Sequence, residues 1–270
     1  MPLDIHHIHA KKSLGQNFLI DPEALHDISH SIEVSGKHII EVGPGYGALT
    51  ECILPQNPSS LDMIELDTDM IHILEQRIES EWRKDIPCRL HHTDVLKYLP
   101  ENREYSVIAN IPYYITSPIL FHFLYDIEYS PKEMVILMQK EVGEKIVPKN
   151  GKKVDNSFFS LCMQYRCEKI EIIRIVKNTA FNPPPKVDSI VLLFQVKEGR
   201  DTAKEKMLID FWKYAFRFPR KLLTTNLRGY HGDMENKWIE ELLISLWYDI
   251  RVRPEAIKFT DWECIYSYFH

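Results

Sequence analysis

Short apolar runs alternate with amphipathic stretches through the first two thirds of the chain, and this alternation most constrains its fold. Strand-length segments that alternate with helix-length segments are typical of an α/β fold with a doubly wound, mostly parallel sheet. The predicted helices cover residues 47–54, 68–79 and 117–125. The predicted strands cover residues 38–42, 61–66, 89–92, 105–110 and 134–139.

The end of this region departs from the alternation. Two further apolar runs, 169–176 and 187–196, are separated by only ten residues, three of them the prolines at 183–185. Parallel strands need a crossover of about a dozen residues or more, so we expect these two strands to pair antiparallel. Helical periodicity follows, and we place a domain boundary between residues 197 and 203. The predicted division is an α/β domain over residues 1–198 and a small all-helical domain over residues 199–270.

The charge of the chain is unevenly distributed. Its formal net charge of −6 disfavours a nucleic-acid partner when taken alone. Residues 197–270, however, hold 13 Lys and Arg against 12 Asp and Glu, and residues 211–229 contain no acid at all. We call the basic residues of that segment the basic stripe: Lys213, Arg217, Arg220, Lys221 and Arg228. They form either a nucleic-acid contact or a solvated helix face.

Cysteine usage and hydropathy indicate the cellular compartment in which the protein is expected. Five cysteines without a C-x-x-C pair argue against a disulfide framework and a cysteine zinc site, and they favour a reducing, cytoplasmic compartment. The polar N-terminus lacks the apolar core of a signal peptide. Residues 105–125 carry no Lys, Arg, Asp or Glu and are long enough to span a bilayer. Prolines interrupt them, so we interpret them as a buried strand, loop and helix and expect no membrane partner.

A glycine-rich turn follows the first predicted strand, where residues 43–48 read Gly-Pro-Gly-Tyr-Gly-Ala. Between a strand and a helix, glycines such as Gly43 and Gly45 let the backbone approach a ligand, and an acid on the next strand holds ribose hydroxyls. Glu65 lies 22 residues beyond Gly43, and Asp67 lies 24 residues beyond it. We predict an adenosine-type cofactor here; the alternative is a tight turn without a ligand.

A second motif, Asn-Ile-Pro-Tyr-Tyr at residues 110–114, stands at the end of the fourth predicted strand, where open α/β sheets bind ligands. The side-chain carbonyl of Asn110 and a backbone carbonyl of the turn could accept both N–H bonds of an exocyclic amine. Its lone pair would then face an electrophile. Pro112 fixes the turn, and Tyr113 could stack on the base. The alternative is a proline turn with two packing tyrosines.

Two more residues fit the same site. Asp94 follows the third predicted strand, where its carboxylate could accept from the cofactor adenine or could cap a helix. Phe181, at the tip of the predicted hairpin, could form the second face of a base sandwich or belong to the core. His6, His7 and His9 stand in a polar terminus without supporting acids, so we interpret them as a tail and not a metal site.

With these motifs, the sequence resembles the ribosomal RNA adenine N6,N6-dimethyltransferase family, above all its small-subunit branch, over nearly the whole chain. Eight ordered blocks carry the resemblance. They are residues 14–19 (LGQNFL), 41–50 (EVGPGYGALT), 64–67 (IELD), 94–96 (DVL), 110–118 (NIPYYITSP), 138–142 (MQKEV), 184–189 (PPKVDS) and 253–256 (RPEA).

The resemblance implies a Rossmann-like class I methyltransferase fold that uses S-adenosyl-L-methionine and whose sheet ends in an antiparallel hairpin. It places four residues around the target adenine: Asn110, Pro112, Tyr113 and Phe181. The residues that it places around the cofactor are Asn17, Leu19, Gly43, Gly45, Glu65, Asp94 and Asn110. It also implies N6,N6-dimethylation of two adjacent adenosines in a 3′-terminal hairpin of small-subunit ribosomal RNA, in a pre-ribosomal particle. We expect a monomer.

Three departures from the family concern RNA docking more than methyl transfer. The chain is acidic where family members are usually basic. Residues 216–223 read FRFPRKLL where the family typically has a run of basic residues followed by a threonine or leucine, and we expect Pro219 to break a helix there. Residues 149–159 lack a tyrosine-glycine pair often found in the family. We therefore expect RNA contacts to be confined to Lys11 and Lys12, the loop 149–153 and the basic stripe.

Three alternatives remain open. The blocks at 184–189 and 253–256 disfavour a large-subunit ribosomal RNA adenine N6-methyltransferase of the antibiotic-resistance type. The complete motif at 110–114, together with Glu65 and Asp94, disfavours a non-catalytic RNA-binding assembly factor with the same fold. A nicotinamide dehydrogenase would share the glycine turn but would have no use for the amine-binding motif.

Overall fold

A sheet of seven strands forms the centre of the first part of the chain. The computed structural model describes residues 10–11, 14–82, 84–147, 155–230 and 236–269. Its five parallel strands are β2 (His38–Val42), β3 (Ser60–Glu65), β4 (Cys88–His92), β5 (Ser106–Asn110) and β6 (Glu133–Gln139). All five residues of β2 are buried, as expected for a parallel strand that is covered on both faces.

The sheet ends in two antiparallel strands. β9 (Ser189–Val196) pairs antiparallel with both β6 and β7 (Cys167–Val176), and the strand order is β4-β3-β2-β5-β6-β9-β7. This confirms the predicted α/β fold with a mostly parallel sheet that ends in an antiparallel pair. The short connection, which contains no crossover helix, is consistent with this antiparallel pairing.

A second, smaller sheet was not predicted. β1 (Phe18–Leu19) pairs antiparallel with β8 (Phe181–Asn182), so that Leu19 lies opposite Phe181. The sequence analysis placed Phe181 on a loop at the hairpin tip, whereas the structure places it in a strand. A two-residue strand is too short to show period-two alternation, and its partner is more than 160 positions away along the chain.

Helices of the first part cover the faces of the sheet. They are α1 (Pro22–Ser29), α2 (Thr50–Ile53), α3 (Thr68–Ser80), α4 (Thr116–Phe121) and α5 (Lys140–Ile146). α2 begins three residues later than predicted because the glycine turn has positive φ angles up to Gly47, which a helix does not tolerate. α4 continues into a π-helical turn at His122–Asp126. Within the described ranges, no helix is both long and apolar enough to cross a membrane.

The chain forms two compact units. Unit 1 comprises residues 1–144 and 167–196, and unit 2 comprises residues 145–166 and 197–270. The helices of unit 2 are α6 (Phe158–Arg166), α7 (Thr202–Ala215), α8 (Leu223–Leu227), α9 (Asn236–Ser245) and α10 (Phe259–Phe269).

Side-chain contacts between α6 and α7 explain why α6, which the sequence analysis assigned to the first domain, belongs to unit 2. The buried Arg166 guanidinium lies 3.3 Å from the Glu205 carboxylate of α7. The rings of Tyr165 and Trp212 meet edge to face at 5.7 Å. The fully buried Phe211 continues this core towards Trp262 of α10, at 6.2 Å between ring centroids.

Candidate active site

One cleft in unit 1 opens at the carboxyl ends of the parallel strands, where this kind of sheet binds ligands. About 1070 Å³ of space, part of it open solvent, lies in and before this cleft. All ten residues that the sequence analysis proposed line this cleft. They are Asn17, Leu19, Gly43, Gly45, Glu65, Asp94, Asn110, Pro112, Tyr113 and Phe181. Their individual roles stay predictions.

The glycine turn forms the floor of the cleft. The Gly43 amide donates to the carbonyl of Ile64, 3.0 Å away, which ties the turn to β3. Gly43 has a φ of +69°, and a Cβ there would lie 3.3 Å from the backbone oxygen of Asn110. At Gly47, with a φ of +93°, a Cβ would lie 2.6 Å from the Trp82 ring. Only glycine fits both positions, so the turn and the Asn110 strand end stay in close approach.

An arginine behind the turn holds it in place. The buried Arg77 of α3 donates from Nη1 to the carbonyl of Tyr46, at 2.6 Å. Its guanidinium lies 4.9 Å from the centre of the Trp82 ring, a cation–π contact. Sequence analysis missed both residues, because an arginine and a tryptophan on an amphipathic stretch give no signal of what they will contact.

Glu65, at the end of β3, has a carboxylate whose orientation is set by the backbone. Its Oε2 accepts from the Gly45 amide at 3.1 Å, and its Oε1 accepts from the amides of Leu66 and Asp67 at 2.8 Å each. Only 8% of the residue is exposed, and this burial raises its pKa above the ordinary value. The three hydrogen bonds favour the charged form in opposition to burial, and they hold the carboxylate beside the glycine turn.

Asp67, the other acid considered for the cofactor, serves a different purpose. Its side chain caps α3 by accepting from the Asp69 amide, and it accepts from Gln16 Nε2 at 2.7 Å and forms an ion pair with Lys11. Burial alone would raise its pKa, but the hydrogen bonds from Lys11 and Gln16 lower it below the ordinary value. Asp67 therefore binds Lys11 and Gln16 of the N-terminal segment and does not line the cleft, whereas Glu65 does.

Asn110 is the last residue of β5, in register with Leu137 of β6. Its side chain is half-buried and lines the cleft. Among the residues that the structure describes, none forms a hydrogen bond with this side-chain amide. The following turn closes on itself through the Ile115 amide, which donates to the Pro112 carbonyl at 3.2 Å. The Asn110 amide therefore borders the cleft without a partner from the described residues and is available to hydrogen-bond a ligand.

Two aromatic side chains reach the same end of the cleft. Tyr113 is half-buried, its pKa is raised by burial, and its hydroxyl lies 2.6 Å from Ser189 Oγ. Phe181 is 3% exposed and belongs to the core cluster that also contains Leu19. Phe181 thus has both properties that were considered for it, since it is a core residue and also lines the cleft.

Asp94 lies at the opposite end of the cleft. Its Oδ1 accepts from the Leu96 amide at 3.0 Å and thereby caps the 3₁₀ turn Val95–Lys97. One oxygen of the Asp94 carboxylate therefore caps a helical turn, as the alternative interpretation of this residue predicted. The same side chain also borders the cleft, so the two functions do not exclude each other.

The basic stripe lies in unit 2, where α7 ends at Ala215 and α8 begins at Leu223, on either side of Pro219. The Arg217 guanidinium stacks on the Tyr214 ring at 4.0 Å and lies 5.3 Å from the ring of Phe218, which is 55% exposed. Arg220 and Lys221 are exposed. Other predictions lie outside the described residues, namely those for Lys12, the loop 149–153, and His6, His7 and His9.

Comparisons with known proteins agree on one family. A family model for ribosomal RNA adenine dimethylase matches residues 7–245. The ribosomal RNA small subunit methyltransferase A of Mycoplasmopsis pulmonis is 36% identical over 265 residues, which is 95% of this chain and 98% of that protein. The protein of the same name from Clostridium botulinum strain Loch Maree is 36% identical over 268 residues, with 95% and 94% covered.

Solved structures agree with this match at the level of the fold. The 23S rRNA methyltransferase ErmE superimposes with a TM-score of 0.74 at 19% identity, covering 94% of this chain and 99% of that one. A dimethyladenosine transferase from Plasmodium falciparum gives 0.73 at 22% identity, with 91% and 94% covered. The fold is thus that of the class I methyltransferases, and the family match establishes that the chain belongs to the ribosomal RNA adenine dimethylase family.

Proposed function

We propose that this protein dimethylates the N6 atoms of two adjacent adenosines in a 3′-terminal hairpin of small-subunit ribosomal RNA, with S-adenosyl-L-methionine as methyl donor. The observation that carries the proposal is the half-buried Asn110 amide, which has no hydrogen-bond partner among the described residues and shares a cleft with the glycine turn and Glu65. The relatives named as small subunit methyltransferases support the choice of subunit.

The cofactor half of the cleft comprises Asn17, Leu19, Gly43, Gly45, Glu65 and Asp94, and its donors and acceptors fit S-adenosyl-L-methionine. A carboxylate accepts about four hydrogen bonds, and Glu65 already accepts three. It can therefore accept one ribose hydroxyl at once, and a second by replacing the Gly45 amide. Asp94 can accept from the adenine amino group through the oxygen that does not cap the 3₁₀ turn. When bound, the cofactor supplies an electrophilic methyl group on its sulfonium.

The base half of the cleft comprises Asn110, Pro112, Tyr113 and Phe181. An aromatic amine is a weak nucleophile because its lone pair is delocalised into the ring. Asn110 Oδ1 accepts one of its N–H bonds and the Ile111 carbonyl accepts the other; the Pro112 carbonyl already accepts one hydrogen bond, from the Ile115 amide. The lone pair is thereby turned out of conjugation. Methyl transfer first leaves a positively charged methylated ammonium, which is acidic enough to lose its proton to water, so no residue has to act as a strong base.

Stacking holds the target base at this position. Tyr113 provides one face, and Phe181 provides the other or closes the pocket beside it. Stacking of a base on an aromatic side chain contributes about 1–3 kcal/mol and offsets the cost of taking the adenosine out of its RNA stack. In this proposal the exposed basic stripe contacts RNA phosphates, and the protein acts as a monomer on a pre-ribosomal particle in the cytoplasm.

Transfer of labelled methyl groups tests this function. The purified protein is incubated with methyl-labelled S-adenosyl-L-methionine and with ribosomal subunits that lack the modification. We expect label in small-subunit RNA and none in large-subunit RNA. Label in the large subunit would instead support the antibiotic-resistance type of enzyme. Binding of subunits without any transfer would support a non-catalytic assembly factor.

A further inference from the structure

Ser189, in the block Pro-Pro-Lys-Val-Asp-Ser, has no function in the account so far. It is the first residue of β9, and none of its surface is exposed. Its Oγ lies 2.6 Å from the hydroxyl of Tyr113, which is 76 positions away along the chain. Either hydroxyl can be the donor, and the short distance marks a well-formed hydrogen bond.

The backbone around Ser189 is held by the two neighbouring strands and by hydrogen bonds to the preceding residue. In the sheet, Ser189 lies opposite Gln139 of β6 and Val176 of β7. Its neighbour Asp188 accepts from Lys177 Nζ at 3.0 Å and from the Asn178 amide at 3.1 Å. The carbonyl of Asp188 accepts from the Lys140 amide at 3.1 Å. Because the strands and these hydrogen bonds fix its backbone, the Ser189 hydroxyl can hold the Tyr113 hydroxyl in one position.

The Tyr113 ring is therefore held at both ends. Its backbone belongs to the turn that follows Asn110 of β5, and its hydroxyl is tied to β9, two strands along the sheet. A ring fixed at only one end can tilt between side-chain conformations, whereas a ring fixed at two ends presents one face at one angle. Because the Tyr113 hydroxyl is hydrogen-bonded to Ser189, we expect a ligand to contact the face or the edge of the Tyr113 ring.

We propose that Ser189 is a positioning residue for methyl transfer, which sets the angle of the Tyr113 ring against the target adenine. The inference rests on the proposed function, because it assumes that Tyr113 stacks on that base. If the Tyr113 ring were free to tilt, the stacked base would tilt with it, and its amino nitrogen would no longer be aligned with the methyl group. Misplacement of reacting atoms by about 1 Å can cost up to about 100-fold in rate. For loss of this one hydrogen bond we expect a loss of about tenfold.

Two variants remove the hydrogen bond from opposite sides. Ser189→Ala removes the buried hydroxyl, and Tyr113→Phe keeps the ring but removes its hydroxyl. We compare the single-turnover rates of wild type, both variants and the double variant at saturating cofactor and subunits, and measure cofactor affinity by calorimetry. Each single variant should be about tenfold slower with unchanged cofactor affinity, and the double variant should be no slower than either.

Ser29→Ala is the matched control. Ser29 is also fully buried and also donates through its hydroxyl, to the carbonyl of His26 at 3.0 Å, but it does not line the cleft. We expect a wild-type rate for this variant. A general cost of removing a buried serine hydroxyl would slow Ser29→Ala as much as Ser189→Ala, and that result would overturn the proposal.

Other outcomes are equally clear. A wild-type rate for Tyr113→Phe would overturn the proposal even if Ser189→Ala failed to fold, because that variant leaves the serine in place. Losses that multiply in the double variant would also overturn it, since the two hydroxyls would then act separately. If the wild type transferred no methyl group at all, the proposed function would fail as well; slowed transfer is thus distinguishable from absent transfer.

Discussion

The two halves of the cleft are built in different ways. In the cofactor half, the carboxylates of Glu65 and Asp94 already accept hydrogen bonds from backbone amides close to them in the chain or on the adjacent turn. In the base half, the Asn110 amide has no partner among the described residues, and Tyr113 is anchored by Ser189 from across the sheet. The carboxylates proposed to hold the cofactor are thus already hydrogen-bonded within the protein, whereas the amide proposed to hold the target base has no such bond among the described residues.

The largest effect should follow a change in the base half. Asn110→Ala removes the oriented acceptor for the target amine, and loss of one such group usually costs about 10²–10³ in rate, or roughly 3–4 kcal/mol. Single-turnover transfer to undermethylated small subunits measures this loss. Calorimetry should show a much smaller change in cofactor affinity, and thermal unfolding should show an intact fold. If the rate stayed near that of wild type, the amine-positioning function of Asn110 would be wrong.

The next effect concerns the framework beneath the glycine turn. The Glu41 carboxyl is 1% exposed and accepts from Thr50 Oγ1 at 2.7 Å; burial raises its pKa from 4.5 to about 8. Between these values the folded protein keeps a proton that the unfolded chain releases, so the contribution of Glu41 to stability is fully present below about pH 4.5 and is lost as the pH rises towards 8. From about pH 5.5 to about pH 7.5 the loss is about 3 kcal/mol.

Glu41→Gln should abolish this part of the pH dependence, because the amide is neutral throughout. Urea unfolding of both proteins at the two pH values measures the difference. Equal losses of stability in wild type and Glu41→Gln would show that Glu41 is ionised in the folded protein. The cofactor half would then rest on a buried charge and not on a protonated acid.

Glu65→Ala should weaken cofactor binding and leave subunit binding unchanged. Charge-assisted hydrogen bonds to ribose hydroxyls contribute about 1.5–3 kcal/mol, roughly 10- to 100-fold in affinity. Calorimetric titration measures the change, with Glu79→Ala on the exposed face of α3 as the matched control. Unchanged affinity would mean that the glycine turn is only a turn, or that another acid holds the ribose.

The smallest effect should come from unit 2. Arg220→Ala together with Lys221→Ala should reduce subunit binding and lower the log-log salt slope by about 0.7–0.9 for each lost phosphate contact, with cofactor affinity unchanged. Lys206→Ala with Lys258→Ala removes two exposed charges of the same unit outside the stripe and serves as the control. If the salt slope of subunit binding equalled that of wild type, the alternative interpretation would hold, in which the basic stripe is a solvated surface.

How much the sequence revealed differs between these regions for physical reasons. The bounds of β2 were predicted to the residue, because an apolar run ends there at glycines that cannot continue a strand. The cofactor half was predictable because its glycines and acids follow one another at the ends of adjacent parallel strands. Local patterns of this kind involve few residues and can be recognised from the sequence without any knowledge of the tertiary structure.

The anchors of the base half were not predictable in the same way. The contact between Tyr113 and Ser189 and the pairing of Leu19 with Phe181 join residues far apart in the chain. A serine at the start of a strand is common and gives no signal of its partner. The assignment of α6 to unit 2 likewise depends on the ion pair between Arg166 and Glu205, which no periodicity in either helix reveals.

Identifying the methylated atom tests the central claim most directly, namely that the base half holds an exocyclic amine. Small-subunit RNA is treated with the wild-type protein and S-adenosyl-L-methionine, digested to nucleosides and analysed by mass spectrometry against standards. The account predicts N6,N6-dimethyladenosine at two adjacent positions. Methyl groups on a ring nitrogen, on carbon or on a ribose oxygen would contradict it, because Asn110 and the Ile111 carbonyl would then not be the acceptors that orient the reacting group.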